Sequence, residues 1–189
     1  MDLRRLALVT AVSVPLVTFA SAKAPDLSHG PQSAEALLYA VTKTAEGKKY
    51  YPKHEKVINV PLRTAIRNLS HHMHPCYDAR VTTKHGLFGP KSVDEYTSTL
   101  RWMNRHEVLF ALQKRNLSGN EHYPARIHQP KDGFFVDVAT FKATGKHKTT
   151  IDLYYRGGFM SSFAAEVYKP IFKWAQDKTA KCVTIDKAI

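Results

Sequence analysis

The residues with the greatest capacity for chemistry lie in one short run, His71-His72-Met73-His74-Pro75-Cys76. On a helix, His71 and His74 are three residues apart and both point away from the apolar face, while His72 lies towards its flank. Two imidazoles at that spacing can share a transition metal such as Cu(II), Zn(II) or Ni(II). Further ligands would have to come from distant histidines, namely His54, His85 or His106. The same run also fits a solvated helix end, where a cationic imidazole favours the helix dipole.

The two cysteines of the chain, Cys76 and Cys182, allow two chemistries. Cys76 could be a thiolate nucleophile with a neighbouring histidine as its base, although nucleophile and base normally come from separate elements. In an oxidising compartment an even pair of cysteines instead predicts a disulfide. Such a bridge would close a loop of roughly 100 residues and stabilise the fold by about 4 to 5 kcal/mol in the chain-entropy model. We expect the disulfide.

Other catalytic patterns are absent from the sequence. It contains no His-Glu-x-x-His, no Cys-x-x-Cys, no Gly-x-Ser-x-Gly elbow, no P-loop and no dinucleotide fingerprint. The run Arg105-His106-Glu107 could serve as an acid or base, or it could be a charged turn. We therefore expect a non-catalytic binding or accessory protein without a cofactor. The alternative is an exported hydrolase or a transition-metal protein that uses His71, His72 and His74.

The N-terminus indicates export. Arg4 and Arg5 precede an apolar run from Leu6 to Ala20, and Ala20-Ser21-Ala22 follows as a small-residue cleavage pattern. This order is typical of a secretory signal peptide over residues 1–22. A membrane span needs about 20 apolar residues, and this run is shorter and contains Pro15. The arginine pair leaves Sec and twin-arginine export both open. We expect a soluble periplasmic or secreted product.

The charge balance favours anionic partners. The chain has 28 Lys and Arg against 16 Asp and Glu, a formal charge of +12, and 43% hydrophobic residues exclude a disordered chain. Basic groups occur at Lys48-Lys49, at Lys53 to Lys56 and at Lys142 to Lys148. They predict attraction to an anionic or amphipathic component of the cell envelope, or to a partner protein, and are compatible with peripheral membrane contact. The alternative is a set of separate solvated lysines that keep the protein soluble. Nucleic acid is not an expected partner of an exported chain.

Hydrophobic periodicity predicts three helices. A first, short helix begins after the N-cap Ser33 and ends near Gly47. The clearest helix covers residues 62–74 and ends at Pro75. Its apolar stripe consists of Leu62, Ala65, Ile66, Leu69 and Met73. Its polar side consists of Arg63, Arg67, Asn68 and His71. A last helix covers residues 162–177, with a cap at Ser161 or Ser162 and a kink at Pro170.

Alternation of apolar and polar residues predicts the strands between these helices. The segments are 57–60, 77–82, 96–102, 108–112, 125–128, 134–141 and 149–155. The fold class is therefore α+β, with an antiparallel sheet of about six or seven strands that has one apolar face. The helices at 62–74 and 162–177 cover that face. The domain organisation is a signal peptide at 1–22, a leader with a short helix at 23–50, and a single α+β domain at 51–189.

Over residues 55–178 the element order resembles the helix-grip architecture of START-related and Bet v 1-like proteins. That resemblance implies a curved sheet that wraps a C-terminal helix, with a groove for apolar ligands between them. The chain also resembles small proteobacterial cell-envelope proteins of uncharacterised function. The shared features are the helix from Leu62 to Cys76 and the Trp174-Ala175 pair ahead of Cys182. Lipoprotein members carry a lipidated cysteine that this chain lacks. This second resemblance implies the disulfide and the envelope compartment.

Overall fold

The computed structural model describes residues 31–84, 91–118, 132–156 and 169–182. These residues form an α+β fold, as the sequence predicts, with an open sheet of six antiparallel strands. The helices are α1 (Ala34–Lys43), α2 (Ala45–Tyr50), α3 (Leu62–His72) and α4 (Pro170–Gln176). The strands are β1 (Lys53–Ile58), β2 (Ala79–Lys84), β3 (Lys91–Asn104), β4 (Glu107–Asn116), β5 (Phe134–Gly145) and β6 (Lys148–Tyr155).

The strand order in the sheet is β1-β6-β5-β4-β3-β2. Strands β2 to β6 follow one another as a meander, and β1 pairs with β6 at the far side. Consecutive strands β1 and β2 therefore lie at opposite edges, and the chain between them must traverse the sheet. Helix α3 lies in that connection.

The inner face of the sheet carries the main core. It consists of alternate residues of the three central strands, namely Val108, Phe110, Leu112, Ala139, Phe141, Ile151, Leu153 and Tyr155. The predicted stripe of α3 packs on this face together with Ile171, Trp174 and Ala175 of α4. The alternation in the strands and the 3.6-residue period in α3 were thus sufficient to predict this layer.

A second apolar layer covers the outer face. Leu37 and Val41 of α1 pack there against Leu109, Val138 and Tyr154. Since the central strands are buried from both sides, β4 has five consecutive buried residues rather than a simple alternation. The expectation of a single apolar face was therefore wrong, because α1 supplies a second cover. As predicted, Ser33 caps α1, with its hydroxyl accepting from the Ala36 N–H at 3.0 Å.

Several element boundaries differ from the sequence prediction. Strand β1 begins at Lys53, and Val57 within it is exposed. Pro75 does not end the helix, because α3 continues into a π-helical turn over Met73–Tyr77 that includes it. Proline lacks the N–H for an α-helical bond, and the wider turn accommodates this loss.

The C-terminal helix also differs from expectation. Pro170 does not kink α4 but is its first residue, where the missing N–H costs no helical bond. The predicted strand at 125–128, the caps Ser161 and Ser162 and the start of the predicted last helix lie outside the described residues. Within the described part of the chain, no helix has both the length and the apolar character to cross a membrane.

Candidate functional site

Helix α3 positions most of the side chains that the sequence singled out. Its exposed side carries Arg63, Arg67 and His71, one helical turn apart. Asn68 was predicted on this polar side, but the structure buries it. Its Nδ2 donates to the carbonyl oxygens of Ala175 at 3.3 Å and Gln176 at 3.2 Å. Asn68 therefore binds two of the orphan carbonyls at the end of α4.

His72 is a packing residue rather than a ligand at the helix surface. It is buried, and its ring stacks on Trp174 with 5.2 Å between centroids. Its Nε2 lies 3.4 Å from the Asp177 carbonyl oxygen, and its Nδ1 lies 4.0 Å from the Cys76 sulfur. The sequence placed His72 on the flank of the helix and could not show that α4 covers that flank.

His71 and His74 are both exposed, but they do not share one regular helix face. The α-helix ends at His72, and His74 belongs to the π-helical turn. The His74 Nδ1 lies 2.5 Å from Asp78 Oδ2, so a carboxylate already contacts it. No cluster of three or more His, Cys, Asp or Glu suited to a metal occurs among the described residues. The metal site at His71 and His74 stays a prediction.

The other candidate ligands lie elsewhere. His54 is on β1, where its ring stacks on Tyr155 at 4.5 Å. His106 is in the turn between β3 and β4 and accepts from Arg105 Nε at 2.8 Å. His85 lies outside the described residues.

The two cysteines are joined, as the sequence predicts. The Cys76 and Cys182 sulfurs lie 2.07 Å apart and the Cα atoms 5.6 Å apart. The pair links the π-helical turn after α3 to the segment after α4. Within the C-terminal part of the chain, Trp174 Nε1 donates to the Lys181 carbonyl oxygen at 3.0 Å, which holds the segment after α4 against that helix. With both sulfurs bonded, no thiol is left to act as the nucleophile considered from the sequence.

A surface pocket of about 390 Å³ lies between the first turn of α3 and the turn that joins β3 to β4. Its lining residues are Arg63, Trp102, Asn104 and Arg105. Trp102 shares the strand parity of Leu100, which packs on the inner core, but Trp102 itself is 48% exposed. We call this site the arginine–tryptophan pocket.

Within the described part of the chain, no carboxylate pairs with the two arginines of the arginine–tryptophan pocket. Among the described residues, neither Arg63 nor Arg105 has an acidic partner. By contrast, three other arginines are ion-paired: Arg101 contacts Glu35, and Arg80 and Arg115 contact Glu95. The sequence contains no Asp or Glu from residue 56 to 77 or from 96 to 106. Guanidinium groups bind phosphate and carboxylate in bidentate geometry, and an adjacent indole offers an apolar face. The pocket can therefore hold an anionic group that is attached to an apolar one.

Two of the lysine-rich groups in the sequence contain lysines that are already ion-paired within the protein. Lys53 and Lys142 both contact the Asp152 carboxylate, at 2.9 and 3.6 Å. Lys53 also pairs with Glu55, and Lys142 with Glu107. Ion pairs thus neutralise part of the charge that the sequence assigned to a binding surface.

A polar network occupies the opposite end of the inner face. Asp94 is held by Lys114 at 2.9 Å and by Asn116 at 3.0 Å. Burial raises the pKa of Tyr77, and the Asp137 carboxylate raises it further, so this phenol stays neutral. Buried polar groups with partners of this kind specify how a core packs. We assign this network to the fold and not to a binding site.

Sequence reasoning did not identify the arginine–tryptophan pocket. It noted Arg63 as part of a polar helix side, Trp102 as a strand residue and Arg105 in a charged turn. The two stretches without acidic residues were the available signal, because Arg63 and Arg105 lie within them, at residues 56–77 and 96–106.

Neither a protein-family model nor a curated protein matches this chain. One solved structure, hypothetical protein jhp0584 from Helicobacter pylori, is similar at 11% sequence identity, with a TM-score of 0.37. The match covers 68% of this chain and 90% of that chain.

Proposed function

We propose that the chain is an exported, non-catalytic binding protein that engages an anionic, amphipathic component of the cell envelope. The arginine–tryptophan pocket is the binding site. The observation that carries this proposal is the placement, beside an exposed indole in one pocket, of two arginines that have no acidic partner among the described residues. Arginine for the anion and tryptophan for the apolar part are the residue types that such a ligand requires.

The proposal places the ligand on the exterior and not in a groove between the sheet and the C-terminal helix. The strand order and the helix that connects β1 to β2 are compatible with a helix-grip architecture. In such proteins the groove holds the ligand, but here Ile171, Trp174 and Ala175 fill the space under α4 with buried side chains. Over the described residues we therefore favour the basic exterior.

The compartment is part of the proposal. Disulfides persist in oxidising environments, so the bond between Cys76 and Cys182 supports a periplasmic or secreted location. The signal peptide predicted at residues 1–22 and the resemblance to proteobacterial envelope proteins point the same way.

Binding of a monomeric amphiphile tests the proposed function. Short-chain phosphatidylglycerol, used below its critical micelle concentration, should bind the oxidised protein in a calorimetric titration, whereas short-chain phosphatidylcholine should bind much more weakly. Arg63→Gln should weaken phosphatidylglycerol binding about tenfold or more, because a hydrogen bond to a charged group is removed.

Arg67→Gln is the matched control. It removes the same charge from the same exposed side of α3, one turn further along, but Arg67 does not line the pocket. Its affinity should stay within about twofold of the parent. Equal binding of both lipids, or equal losses in the two variants, would show that the pocket does not recognise the anion.

A further inference from the structure

We infer that the arginine–tryptophan pocket docks on the surface of an anionic phospholipid bilayer, with Trp102 and Met103 at headgroup level. This inference rests on the proposed function and specifies its ligand as a membrane surface. A single lipid molecule withdrawn from the membrane is the competing form of the same ligand.

The shape of the β3–β4 turn fits docking on a membrane surface better than enclosure of a single lipid molecule. Trp102 is 48% exposed and Met103 is 40% exposed. Trp102 lines the pocket beside Arg63 of α3, on the inner side of the sheet. The Met103 sulfur lies 3.4 Å from Arg101, which contacts Glu35 of α1 on the outer side. Apolar side chains therefore project from both sides of the strand end. A pocket for one small molecule needs apolar groups that converge, whereas a bilayer interface can receive apolar groups on both sides of a projecting turn. Tryptophan is also the residue type enriched at membrane interfaces.

The charges around the turn complement an anionic membrane. Arg105 lies in the turn itself, and Arg63 lies on the exposed side of the first turn of α3. The nearest acidic residue in β4, Glu107, is paired with Lys142 at 3.6 Å. Each basic residue near an anionic bilayer raises affinity about fivefold, so these two arginines together account for about 25-fold.

The turn is held in place before any membrane contact. The Asn104 side-chain oxygen accepts from the His106 N–H at 2.8 Å. The His106 carbonyl oxygen accepts from the Ala143 N–H of β5 at 2.9 Å. The register shift between Trp102 and Asn104 marks an irregularity at this strand end. A turn that is already ordered loses little conformational entropy on docking, so its exposed side chains contribute more to affinity.

The fluorescence of the protein gives a site-specific test. The chain has two tryptophans. Trp174 is fully buried and hydrogen-bonded, so only Trp102 is placed to meet lipid. Vesicles of phosphatidylglycerol and phosphatidylcholine in a roughly 3:7 ratio should shift the emission to the blue, because their anionic surface attracts the basic turn. Pure phosphatidylcholine vesicles should produce no shift. Trp102→Phe should abolish the shift.

A pair of double variants separates the pocket from net charge. Arg63→Gln with Arg105→Gln should lower the affinity for the anionic vesicles about 25-fold in a sedimentation assay. Arg80→Gln with Arg115→Gln changes the net charge equally, but both of these arginines are ion-paired with Glu95 in the structure. This control should lose less than about threefold.

The outcomes distinguish this inference from the proposed function. If monomeric short-chain phosphatidylglycerol binds but anionic vesicles do not, the bilayer inference is wrong and the proposed function stands. If neither binds, both are wrong. Equal binding to pure phosphatidylcholine vesicles, or an equal loss in the two double variants, would also overturn the bilayer inference. The predicted blue shift, lost with Trp102→Phe and weakened selectively by the pocket variant, would establish it.

Discussion

Replacing both Cys76 and Cys182 by alanine should lower the free energy of unfolding by about 3 to 5 kcal/mol. The bridge joins residues 106 positions apart, so it restrains most of the described fold when the chain unfolds. For this separation the chain-entropy relation gives about 4.8 kcal/mol at 25 °C. That figure is an upper limit, because residual structure already restricts the unfolded chain.

The loss should arise in the unfolded state rather than from missing contacts in the folded one. Other links between α3 and α4 persist without the bridge. Asn68 still binds the carbonyl oxygens of Ala175 and Gln176, and His72 still stacks on Trp174. The variant should therefore keep the same fold, while its less restrained unfolded chain exposes more surface and raises the denaturant m-value.

Urea unfolding followed by far-UV circular dichroism is the suitable assay. Asn68→Ala is the matched control, since it breaks a link at the same helix junction but leaves the covalent loop closed. It should cost about 1 to 3 kcal/mol with an unchanged m-value, because it leaves carbonyls without partners. Reduced parent protein should behave like the double alanine variant. A loss below about 1 kcal/mol, or a loss with an unchanged m-value, would contradict the chain-entropy argument.

Three further changes probe other parts of the structure. Burial, and to a smaller extent the Lys169 charge, lower the pKa of His54 in the folded protein. As the pH drops below 6.5, the unfolded chain therefore protonates its His54 first, and the free energy of unfolding should fall. His54→Phe, which keeps an aromatic ring in the stack, should remove that part of the pH dependence in unfolding measured at several pH values. Gly133→Ala should lower the free energy of unfolding by more than about 2 kcal/mol, because Gly133 has a φ of +81° and a Cβ there would lie 2.3 Å from a β4 carbonyl oxygen. Gly145→Ala serves as its control, because a Cβ at that position would lie 3.7 Å from its nearest neighbour. Arg63→Gln should change the unfolding free energy by less than about 0.5 kcal/mol in the same assay, since the dipole of α3 gives a cation no stabilisation in the first turn.

The parts of the fold that the sequence predicts are those with a local signal. The stripe that begins with Leu62 and Ala65 repeats at helical spacing within one segment, so α3 could be predicted without knowledge of its neighbours. The inner strand residues alternate in the same way. The cysteine pairing could be predicted from the number of cysteines and the expected compartment, because two cysteines allow one bridge.

The outer layer could not be predicted in this way. Leu109 and Val138 lie at strand positions that simple alternation assigns to solvent, and they are buried only because α1 packs over them. The apolar stripe of α1 is short, and nothing within residues 34–43 indicates which surface it covers. The environment of His72 could not be predicted for the same reason: it depends on stacking against Trp174, which lies 102 positions away in the sequence.

The candidate site depends wholly on tertiary structure. Arg63 and Trp102 come from a helix and a strand that are 39 positions apart in the sequence, and neither residue forms a motif with its own neighbours. The histidine run predicts a shared site because its residues are adjacent in the sequence, but in the structure their side chains have different environments. His72 packs in the core, His74 contacts Asp78, and His71 stays exposed. Proximity in the sequence was therefore a poor guide to a shared site.

The two ends of α3 have different surroundings, and this difference bears on the proposed binding. At the C-terminal end, Asn68, His72 and the Cys76 bridge fix the helix to the C-terminal segment. At the first turn, Arg63 is exposed without an acidic partner among the described residues, where the dipole opposes its charge. Under the proposed function, a bound anion would offset this unfavourable interaction between the Arg63 charge and the helix dipole. Because the helix is fixed from its far end, Arg63 extends from a rigid element beside Trp102, and the backbone that carries it needs no ordering when an anion binds.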